Sequence, residues 1–421
     1  MDNQKTNAAL LQFIAECPTC YHVTDAVSKK LLAEGYTQLH EEDSWNLTPG
    51  GRYFTVRNHA SLLAFRIPEA RFDRFAITLS HSDSPAYKLK PQPELKENGY
   101  LKLNTEGYGG MIPESWMDRP LSIAGRVMVD TPEGILQKNL CFDRDLLVIP
   151  NVAPHLRASG ETKTLNPQID MLPLLGLKTE GDFTTMLAEE LQVSPDAVLD
   201  ADLFLYCRTP GTVWGKNNEF ISAPRLDDLQ CVFGTLEGFL SADSGGSLPV
   251  LGIFDNEEVG SGTRQGAKSD FLRNVLLRIC LASGYTEADF LQMLPKSFAL
   301  SCDNAHALHP NHPEKSDPVN RPMPNGGVVL KYNANQKYTT DAYSGAVFRK
   351  LMKTAQIPLQ IYVNRSDIPG GSTLGNLSCE RVSIPTVDIG LAQLAMHSAW
   401  ETAGSEDTLH LIRAVIAFYQ A

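Results

Sequence analysis

The chain has 421 residues, room for two or three domains at roughly 150 residues each. Hydrophobic residues make up 43% and charged residues 20%, the balance of a globular protein whose core is large enough to stand without staples. With 37 Lys and Arg against 49 Asp and Glu, the formal net charge of −12 argues against a nucleic-acid binder and against attachment to an acidic membrane surface.

The first residues, Met1 to Lys5, carry no charged segment followed by an apolar one, so no secretory leader is expected. No apolar run approaches the ~18 residues that span a bilayer. Residues 6–16 and 22–35 read as amphipathic helices, the second with Val23, Ala26, Val27 and Leu31 at helical spacing. Between them Cys17 and Cys20 have CxxC spacing, but neither a second ligand pair nor a thioredoxin-like βαβ context follows. The eight scattered cysteines read as reduced thiols of a cytoplasmic protein. Phe75–Leu79 is a short apolar run expected to form a buried strand.

Residues 91–219 change character. Pro and Gly punctuate short β-like runs such as Leu121–Val129, and the one clear helical stretch is 181–192. This segment reads as a β-rich domain inserted into an α/β domain made of residues 1–90 and 220–421. In the second part, the apolar runs Val250–Phe254, Phe298–Ser301, Leu359–Val363 and Ile384–Ile389 lie among helical patterns at 226–240, 269–283, 341–356 and 406–420. Strands alternating with helices predict a largely parallel sheet.

In such sheets, ligands gather beyond the C-terminal strand ends. The residues found there are Ser80-His81-Ser82-Asp83, Asp255-Asn256-Glu257-Glu258, Asp303-Asn304-Ala305-His306 and, after the last strand, Gln393-Leu394-Ala395-Met396-His397. Arg225-Leu226-Asp227-Asp228 opens the helix at 226. Taken singly, each has an ordinary explanation: a hydrogen-bonded histidine, a helix N-cap, a solvated acidic loop. Together, imidazoles and carboxylates suit divalent metals, and one carboxylate can bridge two ions ~3.5–4 Å apart. In Glu257-Glu258, one carboxylate can bind metal while its neighbour acts as general base for a metal-bound water.

These segments resemble the M18 metallopeptidases, the aspartyl aminopeptidase family. Further matches are Thr105-Glu106-Gly107-Tyr108-Gly109-Gly110, Asp118-Arg119-Pro120-Leu121 and Ala223-Pro224-Arg225-Leu226-Asp227-Asp228-Leu229, all in family order over nearly the whole chain. The resemblance implies a mixed sheet flanked by helices, of zinc-peptidase type, with an inserted β-rich dimerisation domain. It implies two Zn2+ per subunit, with Co2+ or Mn2+ able to substitute, and a homo-oligomer that is a dodecamer built from dimers. His81 and Asp303 would bind one zinc, Glu258 and His397 the other, and Asp227 would bridge them. Asp83 would orient His81, and Glu257 would be the general base. His155 would reach a neighbouring subunit's site, and Lys331 would face the substrate's side chain. The substrates implied are peptides with a free N-terminus, Asp or Glu first. Neutral first residues, a related carboxypeptidase or deacylase activity, and a non-catalytic scaffold are the alternatives. The chain departs from the family at Pro120, at Asn304 and over Gly370–Asn376, without losing a metal ligand or the base.

Overall fold

The computed structural model describes residues 2–156, 164–177, 182–243 and 245–421. Its centre is set by two apolar runs, Phe75–His81 and Leu248–Phe254, which are buried along their whole length. Continuous apolar runs of this kind belong to strands covered on both faces. The two pair in parallel, with Phe254 opposite His81. Phe298–Cys302 and then Thr386–Gly390 continue the parallel arrangement.

The complete sheet has nine strands, in the order Thr37–Leu39, Arg52–Arg57, Ser61–Arg66, Leu248–Phe254, Phe75–His81, Phe298–Cys302, Thr386–Gly390, Val328–Tyr332 and Leu359–Val363. It is mixed. Ser61–Arg66 runs antiparallel to both of its neighbours, and Val328–Tyr332 runs antiparallel to Thr386–Gly390. A tight turn with Asn58 and His59 both at positive φ folds Ser61–Arg66 straight back on Arg52–Arg57.

Helices cover both faces. On one side Leu10, Val23, Phe233, Phe348 and Val415 come from the helices Asn3–Glu16, Cys20–Ala33, Leu226–Ser241, Ala342–Ala355 and Asp407–Gln420. On the other, Phe271, Leu276 and Phe290 come from Phe271–Ala282 and Glu287–Met293. The helices and strands that the sequence suggests for this domain lie within a few residues of their expected ranges, whereas Glu287–Met293, Thr37–Leu39, Arg52–Arg57, Ser61–Arg66 and Val328–Tyr332 are not among them. No helix among the described residues is long and apolar enough to cross a membrane.

A second, six-stranded antiparallel sheet takes its strands from Ala86–Glu97, Tyr100–Tyr108, Leu121–Thr131, Gly134–Cys141, Leu174–Leu177 and Val198–Cys207. It has its own core around Trp116, Phe142 and Leu203, against which Leu187 of the helix Phe183–Leu191 packs. Its first strand starts upstream of residue 91. A small third sheet joins Thr212–Trp214, Phe220–Ala223, Glu401–Gly404, Ala392–Leu394 and Ala305–His306. All eight cysteines are free, and burial pushes the Cys17 and Cys20 thiols up, so neither offers a reactive thiolate.

Candidate metal centre

His81 ends its strand, Glu257 and Glu258 form a short turn after Leu248–Phe254, and Asp303 follows Cys302. The parallel pairing therefore brings three segments to one sheet edge. Asp227 comes from the irregular first turn of Leu226–Ser241, where the Asp227–Asp228 peptide bond is cis. His397 sits in the loop between Ala392–Leu394 and Glu401–Gly404. These side chains line a cavity of about 460 Å³.

Asp227 is at its centre. Its Oδ1 lies 3.5 Å from His81 Nε2, and its Oδ2 lies 3.4 Å from His397 Nε2. Glu258 Oε2 is 3.4 Å from the same His397 nitrogen, and Asp303 Oδ1 is 3.9 Å from His81 Nε2. Ligand atoms of His81, Asp227, Asp228 and Asp303 lie within 4.8 Å of one another, as do those of Asp227, Glu258 and His397. Five of the residues assigned to metal thus converge, in two groups that share Asp227.

The electrostatics fit a cation. Asp227 Oδ1, Asp228 Oδ1 and Glu258 Oε1 are buried without a hydrogen-bond partner. Burial first, then neighbouring carboxylates, pushes Asp228 and Glu258 far above the usual carboxylate range. Burial likewise pushes Glu257 up to about 8, with Asp303, Asp83 and Asp227 adding to it and His81 opposing. His81 is raised against the effect of burial by Asp228, Asp227, Asp303 and Asp83. Orphaned buried oxygens and crowded like charges are what a divalent cation neutralises.

Asp83 has a wider role than orienting an imidazole. His81 Nδ1 donates to the main-chain carbonyl of Asp83 at 3.0 Å, while the Asp83 carboxylate is 3.5 Å away. That donation leaves Nε2 facing the cluster. The carboxylate instead accepts the amides of Glu257 and Glu258, both at 3.1 Å, and the Tyr108 hydroxyl at 2.7 Å. Gly109, at φ +73°, lies so close that a Cβ there would stand 3.1 Å from Glu258 Cβ. The Thr105–Gly110 motif thus backs the acidic turn.

Glu401 was not singled out from the sequence. It is buried and accepts the amides of Asp227 at 3.0 Å and His397 at 2.7 Å. It holds His397 at φ +67°, a strained conformation for a residue with a side chain. No local pattern around Ser398-Ala399-Trp400-Glu401 marks it, because both partners are remote or main-chain. Asn304, a departure from the family, donates to Leu226 O, Gln230 Oε1 and Gln393 Oε1, and so anchors the Asp303 loop.

Lys331 lines the cavity but is 2% exposed. Its Nζ donates to Asp303 O at 2.7 Å and Asn304 O at 3.3 Å and lies 3.5 Å from the Asp303 carboxylate. His155 is exposed in the turn Pro154–Leu156 and does not line the cavity of its own chain.

A mixed α/β scaffold that gathers histidines and carboxylates around one central aspartate defines a metal-dependent hydrolase. The family model described as "Aminopeptidase I zinc metalloprotease (M18)" matches residues 13–419. A "Probable M18 family aminopeptidase 2" of Clostridium acetobutylicum is 42% identical, over 97% of both chains. Among solved structures, "Cryo-EM structure of the Ape4 and Nbr1 complex" superposes with a TM-score of 0.95 at 34% identity, covering 99% of this chain and 86% of that one. "Structure of S. cerevesiae mApe1 dodecamer" gives 0.86 at 26%, covering 98% and 96%. This chain belongs to the M18 family of zinc metalloproteases, and is an aminopeptidase that hydrolyses peptide bonds.

Proposed function

We propose that the enzyme releases N-terminal Asp or Glu from peptides, with two zinc ions held by His81, Asp303, Glu258 and His397 and bridged by Asp227. The observation that carries this is Asp227, whose two oxygens face two different histidines. Co2+ or Mn2+ would satisfy the same oxygen and nitrogen donors. Bound there, such ions would polarise the first carbonyl of the peptide and lower the pKa of a water.

The chain's own residues do the rest. Glu257 lines the cavity without being one of the five ligands, and takes the proton from the attacking water. Its raised proton affinity suits a group that must then pass that proton to the leaving amine. Asp83 fixes Glu257 and Glu258 through their amides, so base and ligand keep one spacing. Glu401 does the same for Asp227 and His397.

First-residue selection falls to Lys331. Two of its contacts are uncharged carbonyls, and the carboxylate 3.5 Å from it, Asp303, is one of the five ligands. Its positive charge is thus left for a substrate carboxylate. A preference for neutral first residues is the competing reading, favoured by how fully Asp303 and Asn304 already occupy the ammonium. Rates on X-Ala dipeptides decide. Lys331→Met should lower kcat/KM for Asp-Ala and Glu-Ala by roughly ten- to 150-fold and for Leu-Ala much less, given ~1.5–3 kcal/mol for a charge-assisted hydrogen bond. A wild type that prefers Leu-Ala overturns the acidic specificity and leaves the aminopeptidase intact.

The same reading makes residues 91–219 a dimerisation domain and the assembly a cytoplasmic dodecamer of dimers. The dodecameric neighbour and the separate core of the six-stranded sheet support it. The exposure of His155 suits a residue that serves a neighbouring subunit's site. Mixing inactive His155→Ala and Glu257→Gln subunits should then restore part of the activity. Proven subunit exchange without any recovery refutes the shared site.

A further inference from the structure

Beside the metal cavity lies a second depression, of about 360 Å³, which shares His306 and Tyr362 with it. Its remaining basic lining groups are His309, His312, Lys315 and Arg365, and among the described residues no acidic side chain lines it. This is the reverse of the chain's average, a net charge of −12. Three segments build it: the loop that leaves Ala305–His306, the end of the edge strand Leu359–Val363 with the loop after it, and Gln393-Leu394-Ala395.

Part of that charge is already engaged. Arg365 Nε lies 2.7 Å from the Asp367 carboxylate, its Nη1 donates to the Glu314 carbonyl, and His312 Nδ1 is 3.2 Å from Glu314 Oε1. The rest is free to act on a ligand. Lys315 has no ion-pair partner among the described residues. His309 Nδ1 accepts the Asn311 amide at 3.2 Å, which leaves the Nε2–H as a donor.

An enzyme that acts on a free N-terminus encloses only the first residue at the metals. The rest of the peptide must leave through adjoining space. Each extended residue advances the chain by about 3.3–3.6 Å, so a depression that begins at the cavity wall meets the second or third residue. We propose that this basic depression is the subsite for the peptide downstream of the cleaved bond, and that it selects a carboxylate there. The carboxylate is an acidic side chain at the second or third position, or the free C-terminus of a short peptide. The inference rests on the aminopeptidase reading and adds a second point of charge recognition to it. Lys315 and His309 donate to the carboxylate, and Tyr362 and His306 wall the passage.

The experiment uses the zinc-loaded enzyme and whichever first residue it prefers. Substrates are that residue's p-nitroanilide, which has no downstream peptide, and C-terminally amidated tripeptides with Asp, Ala or Lys at the second or third position. Acidic tripeptides should exceed neutral ones in kcat/KM, and neutral exceed basic ones, by roughly three- to tenfold per step, narrowing as salt rises. Lys315→Gln should narrow the ratio and leave the p-nitroanilide rate within about twofold, and Lys315→Arg should retain the ratio. A wild type indifferent to downstream charge overturns the proposal. So does a Lys315→Gln variant that slows the p-nitroanilide and every tripeptide alike. An altered sedimentation profile with an unchanged ratio also overturns it, and makes the depression a contact between copies. Failure to cleave any of these free-amine substrates sinks the aminopeptidase reading itself.

Discussion

Two clusters of charge, one half-buried and one buried, stand close together in this molecule and are built on opposite plans. At Asp202, on the six-stranded sheet, each negative charge has a positive answer. Lys88 Nζ is 2.6 Å away, Arg126 Nε and Nη2 are both at 2.8 Å, and the Tyr21 hydroxyl donates at 3.3 Å. Arg126 also donates to Asn58 O, so this cluster joins the inserted sheet to the turn of the nine-stranded one. Burial alone would raise the Asp202 carboxyl, and Lys88 and Arg126 bring it below its usual range. At Asp227 the plan is inverted: among the described residues there are six further carboxylates (Asp83, Asp228, Glu257, Glu258, Asp303 and Glu401), two imidazoles, three orphaned oxygens, and Lys331 as the nearby ammonium. A balanced cluster is a joint. An unbalanced one is a site that needs something from outside.

The largest effect that can break this contrast is on the base. Glu257→Gln keeps the shape of the side chain and removes its ability to accept a proton, and should lower kcat by about 10²–10⁴ with zinc content unchanged. Near wild-type turnover at normal zinc content would take the role of base away from Glu257.

Metal content gives the next test. Asp227→Ala should empty both positions together, because its two oxygens face different histidines. His397→Ala should mainly empty one. Elemental analysis showing two full equivalents in Asp227→Ala protein would refute the bridge.

The smallest effect separates joint from site by stability. Asp202→Asn breaks a compensated network and should cost about 1–3 kcal/mol, with or without chelator. Glu258→Gln removes one of several crowded carboxylates, and should leave the chelated protein as stable as wild type or more so. It should also show a smaller zinc-induced rise in Tm, the full ligand stabilisation being about 2.7 kcal/mol at a hundredfold excess over Kd. If Glu258→Gln lowers the chelated protein's Tm more than Asp202→Asn does, the acidic cluster is itself a structural joint.

Much of this was legible in the sequence, for physical reasons. The central strands are covered on both faces, so Phe75–His81, Leu248–Phe254 and Phe298–Cys302 read as continuous apolar runs, each ending in a residue of the acidic and histidine cluster or leading into one. The small third sheet was not legible. Ala305–His306, Ala392–Leu394 and Thr212–Trp214 have two or three residues each, too few to show any period. That sheet nonetheless positions His397 and Glu401. Glu401 and the further partners of Asp83, the amides of Glu257 and Glu258, were missed because these contacts are made to the main chain, which no side-chain pattern reveals. The family resemblance implied the mixed sheet that is found, whereas strand-and-helix alternation alone suggested a largely parallel one, for a related reason. Direction depends on how Ser61–Arg66 and Val328–Tyr332 are connected, and not on what they are made of.

The central aspartate also ties together distant parts of the chain's history. His81 and His397, which face its two oxygens, stand more than three hundred positions apart, and Glu401 lies just beyond His397. A chain that stops short of Thr386–Gly390 has His81 beside one oxygen of Asp227 and lacks His397 for the other. On the proposed two-ion reading, both positions can fill only after the segment that carries His397 has packed against the one that carries Asp227.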